Sequence, residues 1–212
     1  YKLGVLEKDV PVREVWDNAV VLEPNREAQL YRAVSDYVRH FYRLAQKENR
    51  KALGFLMTLY RKRLTSSFYA IERSLARRLN DLQTGQQTSL TPDDLLELDD
   101  AEDAVIDGLR IFYEPVHPRE IEYLQDLLMQ FENTGEDTKC AQFLTLLRQE
   151  LNTRDSAIVF TQYTDTMDYL REFLRASFGN QLACYSGRGG EQYRNGEWIV
   201  VLKETIKQQF RQ

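Results

Sequence analysis

The sequence lacks several features that would indicate secretion, a disulfide scaffold, a zinc site or a membrane span. Its 212 residues include only two cysteines, Cys140 and Cys184, which lie far apart and form no CxxC pair. This argues against a disulfide scaffold or a structural zinc site and favours a reducing, intracellular setting. No run approaches the roughly 18 consecutive apolar residues of a membrane span, and no secretory-signal pattern opens the chain. We therefore expect no membrane partner.

The signatures of a self-contained active site are also missing. The sequence has no G-x-x-x-x-G-K-[ST] loop to cradle a nucleotide phosphate and no acidic Walker B-like run after a strand. His40 and His117 have no partner at ligand or triad spacing, which favours structural roles for both. The acidic pairs at 93–94 and 99–100 lack the pattern of a metal-binding loop. We predict no catalytic residue and no metal ligand in this chain.

The charge is distributed unevenly along the sequence. The net charge is −5, yet residues 26–78 hold 13 Lys or Arg against four acids, while residues 81–107 hold nine acids and no base. A basic segment can bind phosphates, and an acidic one usually cannot. The alternative is that two solvated helical faces partly neutralise each other. With 42% hydrophobic residues, the chain is typical of a soluble, globular protein with a core.

Most of the chain has the three- and four-residue apolar spacing of amphipathic helices. Residues 1–22 contain two short alternating runs, typical of strands or extended connectors. Helices are then predicted after Pro24-Asn25 over the apolar stripe Leu30–Leu44, from about Lys51 to Gln83, from about Pro118 to 133, and from about Asp137 to Leu151. Within the second helix, Thr65–Ser67 are mediocre helix formers, which predicts a bend, a helix junction or a contact surface.

The pattern changes at Ser156 to one typical of an α/β unit. We predict a buried strand at Ala157–Phe160, a helix at Asp165–Ser177, a second strand at Leu182–Tyr185 and a helix from Trp198 to Phe210. Strand, helix, strand is the start of a parallel sheet. The predicted fold class is therefore α/β and predominantly helical, a helical insertion joined to the first strands and helices of a parallel sheet.

Two segments at the ends of the predicted strands are candidates for binding phosphate. In Phe160–Asp165, hydroxyl, amide and backbone N–H groups lie at a strand end that precedes a helix. In Tyr185–Gly190, small residues allow close approach to a polyanion, and Arg188 can pair with phosphate. The alternatives are plain helix capping by Thr164 or Asp165 and an ordinary turn.

Taken together and in this order, the segments resemble Swi/Snf-type superfamily 2 helicase-like ATPases, especially the bacterial RapA/HepA-like branch. Ser156–Leu170 is similar to motif IV, the opening strand and helix of the second RecA-like lobe, and Arg63–Ser67 with the basic helix after it is similar to the "R-x-x-T-S-S" element. The other matching segments are Val20–Tyr31 after the first lobe, Thr138–Leu147 before motif IV, Tyr185–Gly187 at the next strand end and Lys203–Arg211 before motif V.

The resemblance implies a division of the chain and a set of nucleic-acid contacts. Residues 1–24 would be a connector from the first motor lobe, 25–136 a helical linker or protrusion, and 137–212 a partial second RecA-like lobe. The residues implied to approach backbone phosphates are Thr161, Gln162, Ser186, Gly187 and Arg188 from the lobe, and Arg61, Arg63, Ser66 and Ser67 from the helical region.

The implied activity is ATP-driven translocation along double-stranded DNA in the bacterial cytoplasm, with transcription or defence complexes as protein partners. ATP and Mg would bind the parent protein, whose Walker segments should precede Tyr1 and whose motif V and VI segments should follow Gln212. We therefore expect this chain alone to bind neither and to be inactive as a hydrolase. The alternative is a helical protein-interaction or regulatory domain without motor activity.

Overall fold

The computed structural model describes residues 15–22, 26–49, 51–85, 118–135 and 137–210. Within them the chain is predominantly helical with one small sheet. The α-helices are α1 (Arg26–Lys47), α2 (Lys51–Ser66), α3 (Phe68–Thr84), α4 (Glu120–Glu132), α5 (Thr138–Leu151), α6 (Thr164–Phe178) and α7 (Lys203–Phe210). The strands are β1 (Ala183–Ser186), β2 (Gly189–Arg194) and β3 (Glu197–Val201), and a 3₁₀ turn at Gly179–Gln181 precedes β1.

Helices α1 to α4 bury one continuous apolar core. Its largest fully buried members include Leu30 and Phe41 from α1, Met57 from α2, Ile71 from α3 and Leu124 from α4. These residues recur at helical spacing, so each helix turns one stripe inward. Among the described residues, no side chain beyond α4 joins this cluster. The helices predicted from apolar spacing near Leu30–Leu44 and near Pro118 are confirmed, and the one predicted from about Lys51 to Gln83 is helical except for one break.

A buried polar network ties three of these helices together. Arg78 of α3 donates from Nε and from its terminal nitrogen to the two carboxylate oxygens of Glu120, at 3.0 and 3.2 Å. The hydroxyl of Tyr37 in α1 donates to the same carboxylate at 3.2 Å. Burial and the neighbouring Glu120 charge raise the pKa of Tyr37 well above its ordinary value, so the phenol stays protonated and keeps donating. Because the pair is bidentate, it fixes the angle of α4 on α3.

The predicted second helix is in fact two helices. The helix breaks at Ser67, whose φ of −159° and ψ of 154° are extended, and whose Oγ accepts from the Ala70 N–H at 3.1 Å. A serine that caps the following helix in this way competes with continued helix, which explains the break. Thr65–Ser67 are thus a helix junction, one of the three roles predicted for them.

The sheet is antiparallel in the order β1-β2-β3. The predicted strand at Leu182–Tyr185 corresponds to β1, but it pairs with β2 and with no other strand in the described part of the chain. The predicted strand at Ala157–Phe160 is corrected: these residues are exposed and unpaired, and Phe160 is 89% exposed. A RecA-like parallel sheet is therefore not found among the described residues.

The hairpin of β2 and β3 overturns the helix predicted from Trp198. Its turn is Asn195-Gly196, with φ of 52° and 98°. These left-handed angles are those that a two-residue hairpin turn needs, and Asn-Gly is its strongest sequence signal. The four-residue repeat of apolar residues was misleading, because Ile199 to Val201 are β-branched and belong to β3. Only α7, from Lys203, is helical.

The remaining sequence predictions fall partly outside the described residues. Residues 15–22 contain no strand and are exposed up to Val21, so the strand predicted as one option for this run is not found. The first of the two alternating runs in residues 1–22, the acidic stretch from about 86 onwards and His117 lie outside the described residues.

Candidate nucleic-acid interface

The α2–α3 junction contacts the start of α6, about 100 residues later in the sequence. The hydroxyls of Ser66 and Ser67 lie 2.8 and 2.9 Å from Thr166 Oγ1. Thr166 is buried in the first turn of α6. These hydroxyls satisfy one another where both helices would otherwise leave polar groups buried. We call this contact, together with the Arg63–Asp165 pair described next, the serine joint.

The second part of the serine joint is an ion pair that lies beside the hydroxyls. The guanidinium of Arg63 lies 2.6 Å from Asp165 Oδ2, and Arg77 approaches the same oxygen at 3.5 Å. The Arg63 side chain is only 1% exposed and its Cζ lies 4.6 Å above the ring of Tyr163. Asp165 also lies in the first turn of α6, where a carboxylate is favoured by the helix dipole. Arg63 is therefore neutralised and enclosed on this side of the molecule.

Lys139 of α5 supports the same junction from another direction. Its Nζ donates to the carbonyl oxygens of Thr65 and Ser66 at 2.7 and 2.6 Å. These are carbonyls of the last turn of α2, which have no partner within the helix, so a cation there acts as a C-terminal cap. Partial desolvation of the ammonium lowers the pKa of Lys139.

Aromatic packing extends the contact between α3 and α6. The rings of Tyr69 and Tyr169 stack with centroids 5.4 Å apart, and Tyr169 continues to Phe173 at 6.2 Å. The serine joint is therefore the polar end of a longer seam. The aromatic contacts hold α6 against α3, and the serine joint holds the first turn of α6.

A second group of predicted residues lies on the β1–β2 turn. Arg188 donates to Asp168 Oδ1 at 2.6 Å, and its backbone N–H donates to Ser186 Oγ at 3.1 Å. The Arg188 side chain is half exposed. Gly187 is exposed, and a Cβ there would meet no atom within 4 Å. The turn thus reaches α6 one turn beyond the serine joint.

The structure brings most of the predicted site residues around the first two turns of α6. Thr161 and Gln162 directly precede the helix, and the Thr161 hydroxyl donates to the Tyr163 carbonyl at 3.1 Å. Thr161 is half-buried, and Gln162 and Arg61 are exposed. Arg63 and Ser67 are buried, and Ser66 is partly buried with its hydroxyl turned to Thr166. The accessible members are Arg61, Thr161, Gln162, Ser186, Gly187 and Arg188. The alternative predicted for Thr164 or Asp165 was plain helix capping. The residue at the N-cap position of α6 is instead Tyr163, whose side chain makes no capping hydrogen bond.

Sequence reasoning missed the acids that neutralise these arginines. Asp165 and Asp168 sit one turn apart on α6 and each pairs with an arginine of a different element. Their spacing was a usable signal, because residues three apart share a helix face. The identity of their partners was not, since Arg63 lies 102 positions from Asp165.

No protein-family model, curated protein or solved structure matches this chain. In the described ranges, no helix is both long and apolar enough to cross a membrane, and His, Cys, Asp and Glu nowhere form a group of three that could hold a metal ion.

Proposed function

We propose that this chain is part of an ATP-dependent double-stranded DNA translocase of the Swi/Snf type, to which it contributes DNA-backbone contacts and the start of the second motor lobe. The protein would act in the bacterial cytoplasm, with transcription or defence complexes as possible protein partners. The observation that carries the proposal is the serine joint. Two segments that resemble separate family elements, Arg63–Ser67 and Ser156–Leu170, are in direct contact there.

This contact supports the proposal because the two segments lie about 100 positions apart in the sequence and resemble different elements of the family. A chance similarity of two short segments gives no reason for them to meet across 100 positions. In the proposal, the helical region is locked to the beginning of the second lobe, so that a movement of either is passed to the other. The exposed apolar run Ala157–Phe160 would become a strand of the lobe's parallel sheet, which would bury its side chains.

The accessible members of the site are the proposed backbone contacts. Arg61 has no acidic partner in the described part of the chain, and the half-exposed Arg188 can exchange Asp168 for a phosphate. Thr161, Gln162, Ser186 and Gly187 add hydroxyl, amide and backbone groups beside them. Arg63, Ser66 and Ser67 would act by holding α6 in position, because the Arg63 guanidinium is enclosed.

In the proposal, ATP and magnesium bind outside this chain. The 212 residues contain no phosphate-binding loop of the Walker type, and the described residues hold no acidic cluster for a metal ion. In the proposal, nucleotide is therefore bound by other parts of the complete motor, and no chemical step is assigned to the residues described above.

A helical interaction domain is the second candidate. It is favoured by the exposed apolar side chains Phe160, Val200 and Leu202, which are 89%, 85% and 77% exposed. Exposed apolar residues of this size mark interaction surfaces when they lie together. On this alternative the basic helices would serve protein contacts.

The test of the motor proposal is ATP hydrolysis by the protein encoded by the whole reading frame, with and without duplex DNA. We expect hydrolysis that duplex DNA stimulates. A reading frame without Walker segments upstream and an arginine-finger segment downstream, or no hydrolysis, would favour the interaction domain. Hydrolysis indifferent to DNA would reject a DNA translocase.

The binding part of the proposal is tested on the 212-residue chain. We expect weak, sequence-independent binding to duplex DNA, with log K falling by roughly 0.9 per phosphate contact for each tenfold rise in salt. Arg61→Gln and Arg188→Gln should each reduce that slope by about 0.9. Arg154→Gln is the matched control, because Arg154 is exposed but pairs with Glu150 at 2.9 Å. Equal effects of all three substitutions would remove Arg61 and Arg188 from the proposed contacts.

A further inference from the structure

An open groove runs along the C-terminal half of α1, away from the serine joint. It is lined by Asp36, Arg39, His40, Arg43, Leu44 and Lys47. Its cations are spaced four residues apart, so they project from successive turns of one face. From Arg39 to Lys47 the sequence contains no Asp or Glu.

The charge of this groove is less neutralised than that of three exposed arginines elsewhere in the described residues. Arg43 and Lys47 have no acidic partner in the described part of the chain, and Arg39 pairs only with the exposed Asp36, at 2.7 Å. By contrast, three exposed arginines elsewhere each lie 2.9 Å from a glutamate: Arg119 with Glu122, Arg154 with Glu150 and Arg175 with Glu172. Of these six exposed cations, Arg43 and Lys47 of α1 are therefore the two without an acidic partner in the described residues.

We propose that the groove formed by Arg39, His40, Arg43 and Lys47 is a second phosphate-binding surface, which takes the sugar–phosphate backbone of duplex DNA. The inference rests on the proposed function for the identity of its partner. Nothing in the resemblance pointed to these residues, which lie outside the predicted site.

The dimensions of the groove suit a strand of nucleic acid. With a rise of 1.5 Å per residue, the eight steps from Arg39 to Lys47 span about 12 Å. One DNA strand carries a phosphate every 3.4 Å or so along the duplex axis, so about three or four phosphates fit along that length. The cations can follow them because lysine and arginine side chains are long and here exposed.

A phosphate also has an advantage over Asp36 as the partner of Arg39. The Arg39–Asp36 pair is exposed on both sides, and such pairs hold only weakly. An incoming phosphate that also reaches Arg43 gains a second cation, which Asp36 does not reach in the structure. Arg39 is thus available for exchange.

The test uses the 212-residue chain, a fluorescent duplex oligonucleotide and a series of salt concentrations. The triple variant Arg39→Gln, Arg43→Gln, Lys47→Gln should lower the log–log salt slope by about two to three and weaken binding at low salt by at least tenfold. The control triple variant Arg119→Gln, Arg154→Gln, Arg175→Gln removes the same charge from paired arginines and should leave the slope nearly unchanged. Thermal melting by circular dichroism shows whether each variant is folded.

The outcomes separate this inference from the proposed function. If the α1 variant keeps the wild-type slope while Arg61→Gln and Arg188→Gln lower it, the α1 groove is not a DNA contact and the proposed site stands. If only the α1 variant lowers the slope, the groove binds DNA and the proposed contacts around α6 fail. Absence of duplex binding at low salt overturns both assignments of a DNA contact. Competition by polyglutamate as strong as by unlabelled duplex would show a surface for acidic peptides and overturn the phosphate assignment.

If the triple variant unfolds, charge-retaining substitutions decide the question. Arg39→Lys, Arg43→Lys and Lys47→Arg together keep three cations on the same turns. Binding that survives these changes but is lost in Gln singles that melt like the wild type supports a charge-based contact. Gln singles that melt normally and bind normally reject it.

Discussion

At the scale of single residues, the serine joint is dominated by one enclosed charge. Arg63 is 1% exposed and depends on Asp165 for its counter-charge. A charge taken out of water costs several kcal/mol unless it is paired and hydrogen-bonded. Removing Asp165 alone should therefore cost more folding stability than removing one partner of an ion pair on the surface.

We predict that Asp165→Leu lowers the free energy of unfolding by about 3 kcal/mol, since it leaves the Arg63 guanidinium buried without its carboxylate. Adding Arg63→Met to that variant should recover part of the loss, because no enclosed charge then remains. Urea denaturation of the four proteins of this double-mutant cycle measures both effects. The matched change Glu150→Leu, at an exposed pair with Arg154, should cost less than about 1 kcal/mol. A similar cost at both sites would show that Arg63 is hydrated in solution.

At the scale of elements, the sequence predicted most helices and misassigned the sheet. Helices α1, α4, α5 and α6 have strong apolar stripes, and the physics that forms them is local. Strand β2 is Gly-rich and polar, so its pairing comes from β1 and β3 and not from its own propensity. The Asn195-Gly196 turn could be recognised in the sequence, and it is a stronger signal than the four-residue repeat from Trp198 to Phe210.

The candidate site was predictable only in part for the same reason. Local chemistry placed Thr161 and Gln162 before a helix and Ser186–Arg188 at a strand end, and the structure places them there. Their assembly around α6 depends on pairs such as Arg63–Asp165, which are far apart in the sequence. Spacing within one segment carries no information about such partners.

The hairpin turn gives a prediction at this scale. Gly196→Ala should destabilise the β2–β3 hairpin by about 1 to 2 kcal/mol, because its φ of 98° lies where an L side chain is strained. Cross-strand amide contacts between Gln192 and Ile199 in NMR spectra would report the loss. Gly187→Ala is the control, since that glycine is not left-handed and a Cβ meets nothing within 4 Å. Equal perturbation by the two substitutions would contradict the turn geometry.

At the scale of the whole molecule, burial is uneven. The continuous core lies within α1–α4, whereas α5 buries only Cys140 and α7 buries no residue. Regions with few buried apolar contacts open more easily than the core. The bundle is therefore expected to be the stable unit, and the part that follows it the softer one.

Hydrogen–deuterium exchange measures this difference directly. Amides within α1, α3 and α4 should exchange most slowly, and those of β3 and α7 at least tenfold faster, because the former are held by the core. Helix α6 should be intermediate, since Thr166 and Leu174 are buried while most of its remaining residues are partly exposed. Uniform protection from α1 to α7 would show that one cooperative unit spans them all.

The serine joint finally has a consequence for how this protein can change over time. If the buried cation or its carboxylate is replaced alone, the resulting protein is less stable. Positions 63 and 165 should therefore evolve together. Among relatives of this chain, the two positions should covary, as an ion pair or as two uncharged residues. The hydroxyl positions 66, 67 and 166 have more latitude, because neighbouring hydroxyls can substitute for one another. Such covariation would identify homologues even where the rest of the sequence no longer shows detectable similarity.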